Sequence, residues 1–199
     1  MAALGVSALI IGPPTPPASA GETAASPGFH SDGPPPGYTG GFDEPTCLEC
    51  HSGFDLGLDG TLEFVGLPEA YQAGRVYAVT LTLHSTEMEK AGFQTSVRFS
   101  SGARGGQQAG VLRALDDRTS VVPSAEDPSI RYVQHGLAGT DVIDRELAQW
   151  TFEWTAPVST SDPVVFHASA NSANGDDSPL GDLVYAVSRE LGAGAFNGS

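Results

Sequence analysis

Lysine is almost missing from this chain. Lys90 is the only one, and lysine and arginine together number 9 against 24 aspartates and glutamates, a formal net charge of −15 over 199 residues. Nucleic-acid binding needs a basic face to displace counterions, and docking on anionic lipid needs the same, so both are excluded as charge-driven functions. Cysteine is limited to Cys47 and Cys50. A zinc site built on two cysteine pairs is therefore ruled out. Long apolar runs are missing too. The run over residues 2–12 falls short of the roughly 20 residues that span a bilayer. Extended helical periodicity is absent, and the nearest stretch, residues 144–149, allows one or two turns at most.

Glycine and proline are abundant instead, 25 and 15 residues. Such a share disfavours a helix bundle and favours turns and strands. Much of the proline is N-terminal. The apolar run is followed by Pro13, Pro14, Pro16, Pro17 and then Ala18-Ser19-Ala20, which reads as the apolar centre and cleavage site of an export signal, residues 1–20, or as an uncleaved anchor. No Lys or Arg precedes the run. Residues 21–45, with Gly33-Pro34-Pro35-Pro36-Gly37, read as an extended, polyproline-like linker.

The linker leads into Thr46-Cys47-Leu48-Glu49-Cys50-His51, the C-x-x-C-H attachment signature of c-type haem. Two thiols three residues apart can add to the two vinyl groups of one porphyrin, and the next residue sets an imidazole under the iron. The expectation is one covalent haem c, with Cys47 and Cys50 as thioethers and His51 as proximal iron ligand, in a segment spanning residues 46–59. A redox dithiol would use the same cysteine spacing but expects a βαβ pattern, which is not seen. A disulfide between the two closes a tiny loop and constrains little.

From residue 60 to 190 the chain alternates in short segments with turn signals between them. Strands are expected at 61–65, 76–84, 92–99, 109–114, 120–122, 131–135, 149–155, 163–170 and 183–189, with residues 191–199 as a flexible tail. In the clearest of these, Trp150, Phe152 and Trp154 share one face against Thr151 and Glu153 on the other. Period two with regular breaks predicts an all-β fold, an antiparallel β-sandwich preceded by an irregular segment. At strand spacing the three aromatics read as core rather than as a stacking relay. Asn171, Asn174, Asp176 and Asp177 around Gly175 read as an Asx turn, with a calcium loop as the alternative. No nucleophile, base and orienter set carries a local signature, so an enzyme is not expected.

Several pieces occur in an order that resembles the bacterial choice-of-anchor V domain family. They are Gly33-Pro34-Pro35, Thr39-Gly40-Gly41, Pro45-Thr46-Cys47 and Cys50-His51-Ser52-Gly53, then Gly66-Leu67-Pro68, Ala91-Gly92-Phe93-Gln94, Tyr132-Val133-Gln134-His135 with Gly139-Thr140, Trp150 through Pro157, and Ala170 through Asp176. The resemblance spans residues 33–189. It implies an exported, Reeler-like or immunoglobulin-like β-sandwich preceded by a C-x-x-C-H segment. Members often carry a C-terminal sorting segment, for which residues 190–199 have neither the length nor the hydrophobicity.

The second side of the iron would decide potential and ligand access. His135, at a strand end and matching the resemblance's Tyr-x-x-His pattern, is the first candidate distal ligand. Met88, in the polar turn Glu87-Met88-Glu89-Lys90, is the second, and His30, His84 and His167 complete the set. The leading functional expectation is an exported mono-haem c-type cytochrome in the periplasm or at the extracytoplasmic surface. Its role would be one-electron transfer, alone or as a peripheral subunit of a membrane respiratory or photosynthetic complex, with a redox partner that presents a basic docking face. The alternatives are a structural or adhesive β-sandwich that binds a protein or glycan, and a haem-based gas sensor with an open iron position.

Overall fold

The structure is a computed structural model that describes residues 1, 30–51, 60–158 and 162–194. Most of the expected export signal, the first part of the expected linker, residues 52–59 of the expected haem segment and the last residues of the expected tail lie outside the described residues. No helix among the described residues is long and apolar enough to cross a membrane.

Among the described residues ten strands form two sheets: β1 (Gly60–Val65), β2 (Ala70–Tyr71), β3 (Val76–Ser85), β4 (Lys90–Phe99), β5 (Val111–Ala114), β6 (Thr119–Pro123), β7 (Arg131–His135), β8 (Leu147–Thr155), β9 (Val164–Ala173) and β10 (Leu183–Ala193). One sheet runs β1-β3-β8-β5 and the other β2-β10-β9-β4-β7-β6. All pairings are antiparallel except the short one of β2 with β10. The chain is thus the all-β sandwich that its period-two pattern predicts. The stretch 144–149 is a turn that runs into β8 rather than a helix, and β10 continues to Ala193, into what was expected to be tail.

The core is made where β8 and β3 face the second sheet. Tyr77, Val79, Leu81 and Leu83 stand opposite Trp154, Phe152, Trp150 and Ala148 across the β3–β8 ladder. Trp150 packs on Phe93 of β4 at 4.6 Å between ring centroids, and Trp154 meets Phe166 of β9 edge-on at 5.0 Å. Each indole N–H has a carbonyl, Gly139 at 2.7 Å for Trp150 and Ala109 at 2.8 Å for Trp154, so burial leaves no donor unpaired.

β4 breaks the simple alternation, for it is buried at every position after Lys90. Phe93, Val97 and Phe99 belong to the core, which leaves Gln94, Ser96 and Arg98 on the outer face. That face is covered by residues 30–51, which lie across the six-stranded sheet as a strap. Gln94, fully buried, holds it with every hydrogen-bonding site of its amide. Its Oε1 accepts from Gly37 N–H at 2.8 Å and Tyr38 N–H at 2.7 Å, and its Nε2 donates to Pro35 O at 2.9 Å and Gln134 Oε1 at 3.0 Å. Further along, Glu44 pairs with Arg98 and accepts from the Tyr132 hydroxyl at 2.6 Å. Gly33 turns the chain at φ +122°, and a Cβ there would come within 2.0 Å of Gln134 Nε2, so only glycine serves.

Candidate functional site

The strap ends in a 3₁₀ turn, Cys47–Glu49, at the edge of a cavity of about 470 Å³. The Thr46 hydroxyl caps the turn by accepting from Leu48 N–H, and Cys47 N–H donates to Ser169 Oγ of β9 at 3.1 Å. Backbone bonds from Cys50 and His51 to the Cys47 carbonyl curl the segment so that all three residues line the cavity. Both cysteines are free thiols and half-buried. Burial pushes the Cys47 thiol up to about 11. An attacking redox cysteine needs the opposite shift, so this setting disfavours Cys47 in that role.

His51 is anchored from behind. Its Nδ1–H donates to Asp182 Oδ2 at 2.7 Å, and Asp182 is 1% exposed. Asp182 also accepts from Asn171 Nδ2 at 3.1 Å and from Asn174 N–H at 3.3 Å. A buried carboxylate on Nδ1 holds the ring and turns Nε2 away from it, the orientation in which histidine acts as a metal or haem ligand. Asn171 Oδ1 is buried without a hydrogen-bond partner at the same wall.

The remaining walls come from the strap (His30, Pro34, Pro35, Tyr38), the start of β4 (Ala91, Phe93) and the end of β7 (His135). Leu137, largely exposed, and Pro179 add apolar surface at the rim, with Lys90 beside them. The volume lies within the range of pockets that enclose a cofactor-sized ligand, and apolar walls with a few placed polar groups are their usual lining.

The structure brings together five of the residues singled out from sequence, Cys47, Cys50, His51, His135 and His30. His135 is buried, and its ring nitrogens are both engaged: Nδ1 accepts from Phe93 N–H at 3.0 Å, and Nε2–H donates to the His30 carbonyl at 3.0 Å. Burial holds it well below the usual imidazole range. Met88 requires a correction. It is fully buried in the hydrophobic core and takes no part in the cavity wall, because its turn folds the side chain inward although its neighbours in sequence are charged. His84 is exposed on β3, and His167 lies on the outer face of β9 beneath Gly41 and Phe42, both away from the cavity. Residues 174–180 form successive side-chain-capped turns, Asn174 Oδ1 to Asp176 N–H and Asp176 Oδ1 to Ser178 N–H, as the Asx reading expects. Asp182 has no motif in the sequence, and Asn171 and Gln94 stand there only in the Asx turn and the resemblance, not as supports of the site. The only signal was a polar residue out of phase in an apolar strand, or beside one.

No protein-family model and no curated protein matches the chain. Among solved structures it is similar to the human F-spondin reeler domain, at 18% identity and a TM-score of 0.48 over 72% of this chain and 95% of that one. A Reelin-N domain of F-spondin follows at 17% and 0.47, covering 75% and 96%. A cohesin module of a family 33 glycoside hydrolase from Clostridium perfringens has 16% and 0.42, covering 68% and 96%. Among the described residues no group of three or more His, Cys, Asp or Glu side chains is placed to hold a metal ion, which corrects the expectation of a metal-binding, electron-transferring cytochrome to the extent that its side chains alone would hold the metal.

Proposed function

We propose that the chain is an exported β-sandwich recognition module of structural or adhesive role, whose strap carries one covalent haem c. The role is binding rather than catalysis, outside the cytoplasmic membrane, and membership of the choice-of-anchor V domains is part of the same reading. A net charge of −15 favours a protein partner with a basic face.

The observation that carries the cofactor is the convergence of Cys47, Cys50 and His51 on one cavity, with His51 tied to buried Asp182. The residues fit the group. A porphyrin supplies four nitrogens to its own metal, so its site needs thiols for attachment and one or two imidazoles, not a three-ligand cluster. Cys47 and Cys50 would hold it, His51 would face the metal, and Phe93, Pro34 and Pro35 would bound its apolar surface. When bound, haem supplies a coloured metal centre with one further coordination position. The protein's own part is to orient the His51 ring, exclude water with the strap and keep the cavity open.

Expression of the full chain together with c-haem maturation machinery tests this. A haem-stained band that survives denaturing electrophoresis, lost in Cys47→Ala/Cys50→Ala, is the expected result. A colourless band in the unsubstituted chain would sink the cofactor, and failure of coated beads to retain any basic protein or glycan in a binding panel would sink the recognition role.

A further inference from the structure

Three imidazoles line the cavity, those of His30, His51 and His135, and they differ in what their nitrogens are free to do. His51 has one nitrogen committed to Asp182. His135 has both committed, one to Phe93 N–H and one to the His30 carbonyl, in a buried setting where breaking either bond strands a backbone group. His30 is the reverse case. Its backbone is fixed, because its carbonyl accepts from Gly33 N–H at 3.0 Å as well as from His135 Nε2–H, filling both lone pairs. Its side chain is exposed on the cavity wall. The glycine turn at Gly33, closed against Gln134, anchors the same four-residue loop from the other side.

We propose that His30 would supply the second imidazole toward a haem attached at Cys47 and Cys50, and that His135 is a positioning residue that holds His30 at the cavity. This rests on the cofactor reading above. It assigns the ligand role to the strap, not to the sandwich: both imidazoles toward the metal then come from residues 30–51, and the sheet supplies the groups that hold them.

The test uses the full chain matured with haem, with covalent attachment read by haem stain and spin state by absorption and electron paramagnetic resonance. The unsubstituted protein is expected to be low-spin. His30→Ala is expected to keep its covalent haem and its thermal midpoint, lose the low-spin signature, and regain it on addition of free imidazole. His135→Leu is expected to lower the low-spin fraction, again restored by imidazole. An unchanged low-spin spectrum in His30→Ala overturns the ligand assignment, as does a high-spin unsubstituted protein with haem attached. A full low-spin fraction in His135→Leu overturns the positioning role. A chain that takes up no covalent haem overturns the cofactor reading itself and this inference with it, and the stain separates that result from the others.

Discussion

Replacing Gln94 by leucine keeps the approximate volume of a fully buried side chain and removes four hydrogen bonds at once, to Gly37, Tyr38, Pro35 and Gln134. At about 0.5–1.5 kcal/mol net for each bond the loss would approach roughly 4 kcal/mol. Gly37, Tyr38 and Pro35 lie in the strap, however, and the strap can swing out and let water satisfy them. The free energy of strap docking therefore caps the loss, and an overall destabilisation of about 2–4 kcal/mol follows. For a chain of this size that lowers Tm by roughly 5–15 °C. The sharper readout is local. Hydrogen exchange at the Gly37 and Tyr38 amides should speed up by a factor on the order of 30 to 1,000, since each 1.4 kcal/mol is about tenfold, while amides in the β3–β8 ladder change only as far as global stability does. Unchanged exchange at those two amides, together with an unchanged Tm, would refute the view that this one amide fastens the strap.

Other consequences can be checked as directly. Met88→Ala should cost about 2–5 kcal/mol by emptying core volume, measured by urea unfolding, and should leave the spectrum of haem-loaded protein as it was. His167 is held below the usual imidazole range by burial, against the pull of Glu44 and with a further push from Arg98. The unfolded chain therefore binds its proton first as pH falls, so this contribution is full above about 6.5 and is lost as pH falls toward the folded value. His167→Gln should flatten the pH dependence of Tm over that window, and an unaltered slope would remove the effect. With the Cys47 thiol at about 11 against an ordinary value of 9.0, its thiolate fraction at pH 8 falls about 100-fold, and higher intrinsic nucleophilicity recovers about tenfold. Alkylation of Cys47 in folded, haem-free protein should run roughly tenfold slower than in urea, by peptide mass analysis, and equal rates would count against its burial.

The sandwich was legible because its centre obeys one rule. In β8 the alternation of Trp150, Phe152 and Trp154 with polar residues states which face is buried, and its partner β3 repeats the pattern in register. The rule fails at β4, where Gln94, Ser96 and Arg98 are polar yet buried, because the cover on the second face is a proline-rich segment with no periodicity of its own. The cysteine motif could be read as a site because its chemistry is local. Its support could not: Asp182 lies 131 residues from His51 in the chain, and only the β9–β10 turn brings it there. Met88 misled for a related reason. Charged neighbours describe a segment's exposure on average, whereas a single turn with Glu87 at φ +52° can point one side chain into the core. His135 lines the cavity, but a strand-end histidine reveals nothing in sequence of what its two nitrogens hold.

The strap also has a consequence in time. It is made first, yet every group it rests on, from Gln94 to Asp182, is made later, and the bond from Cys47 to Ser169 joins residues 122 positions apart. A chain delivered amino end first thus presents its thiols while the surface that will cover them does not yet exist. In that interval Cys47 is an ordinary accessible thiol. Once the sandwich closes and the strap docks, it is screened and protonated. Cys47 is therefore the more reactive before the sandwich closes over it, and folding slows its chemistry.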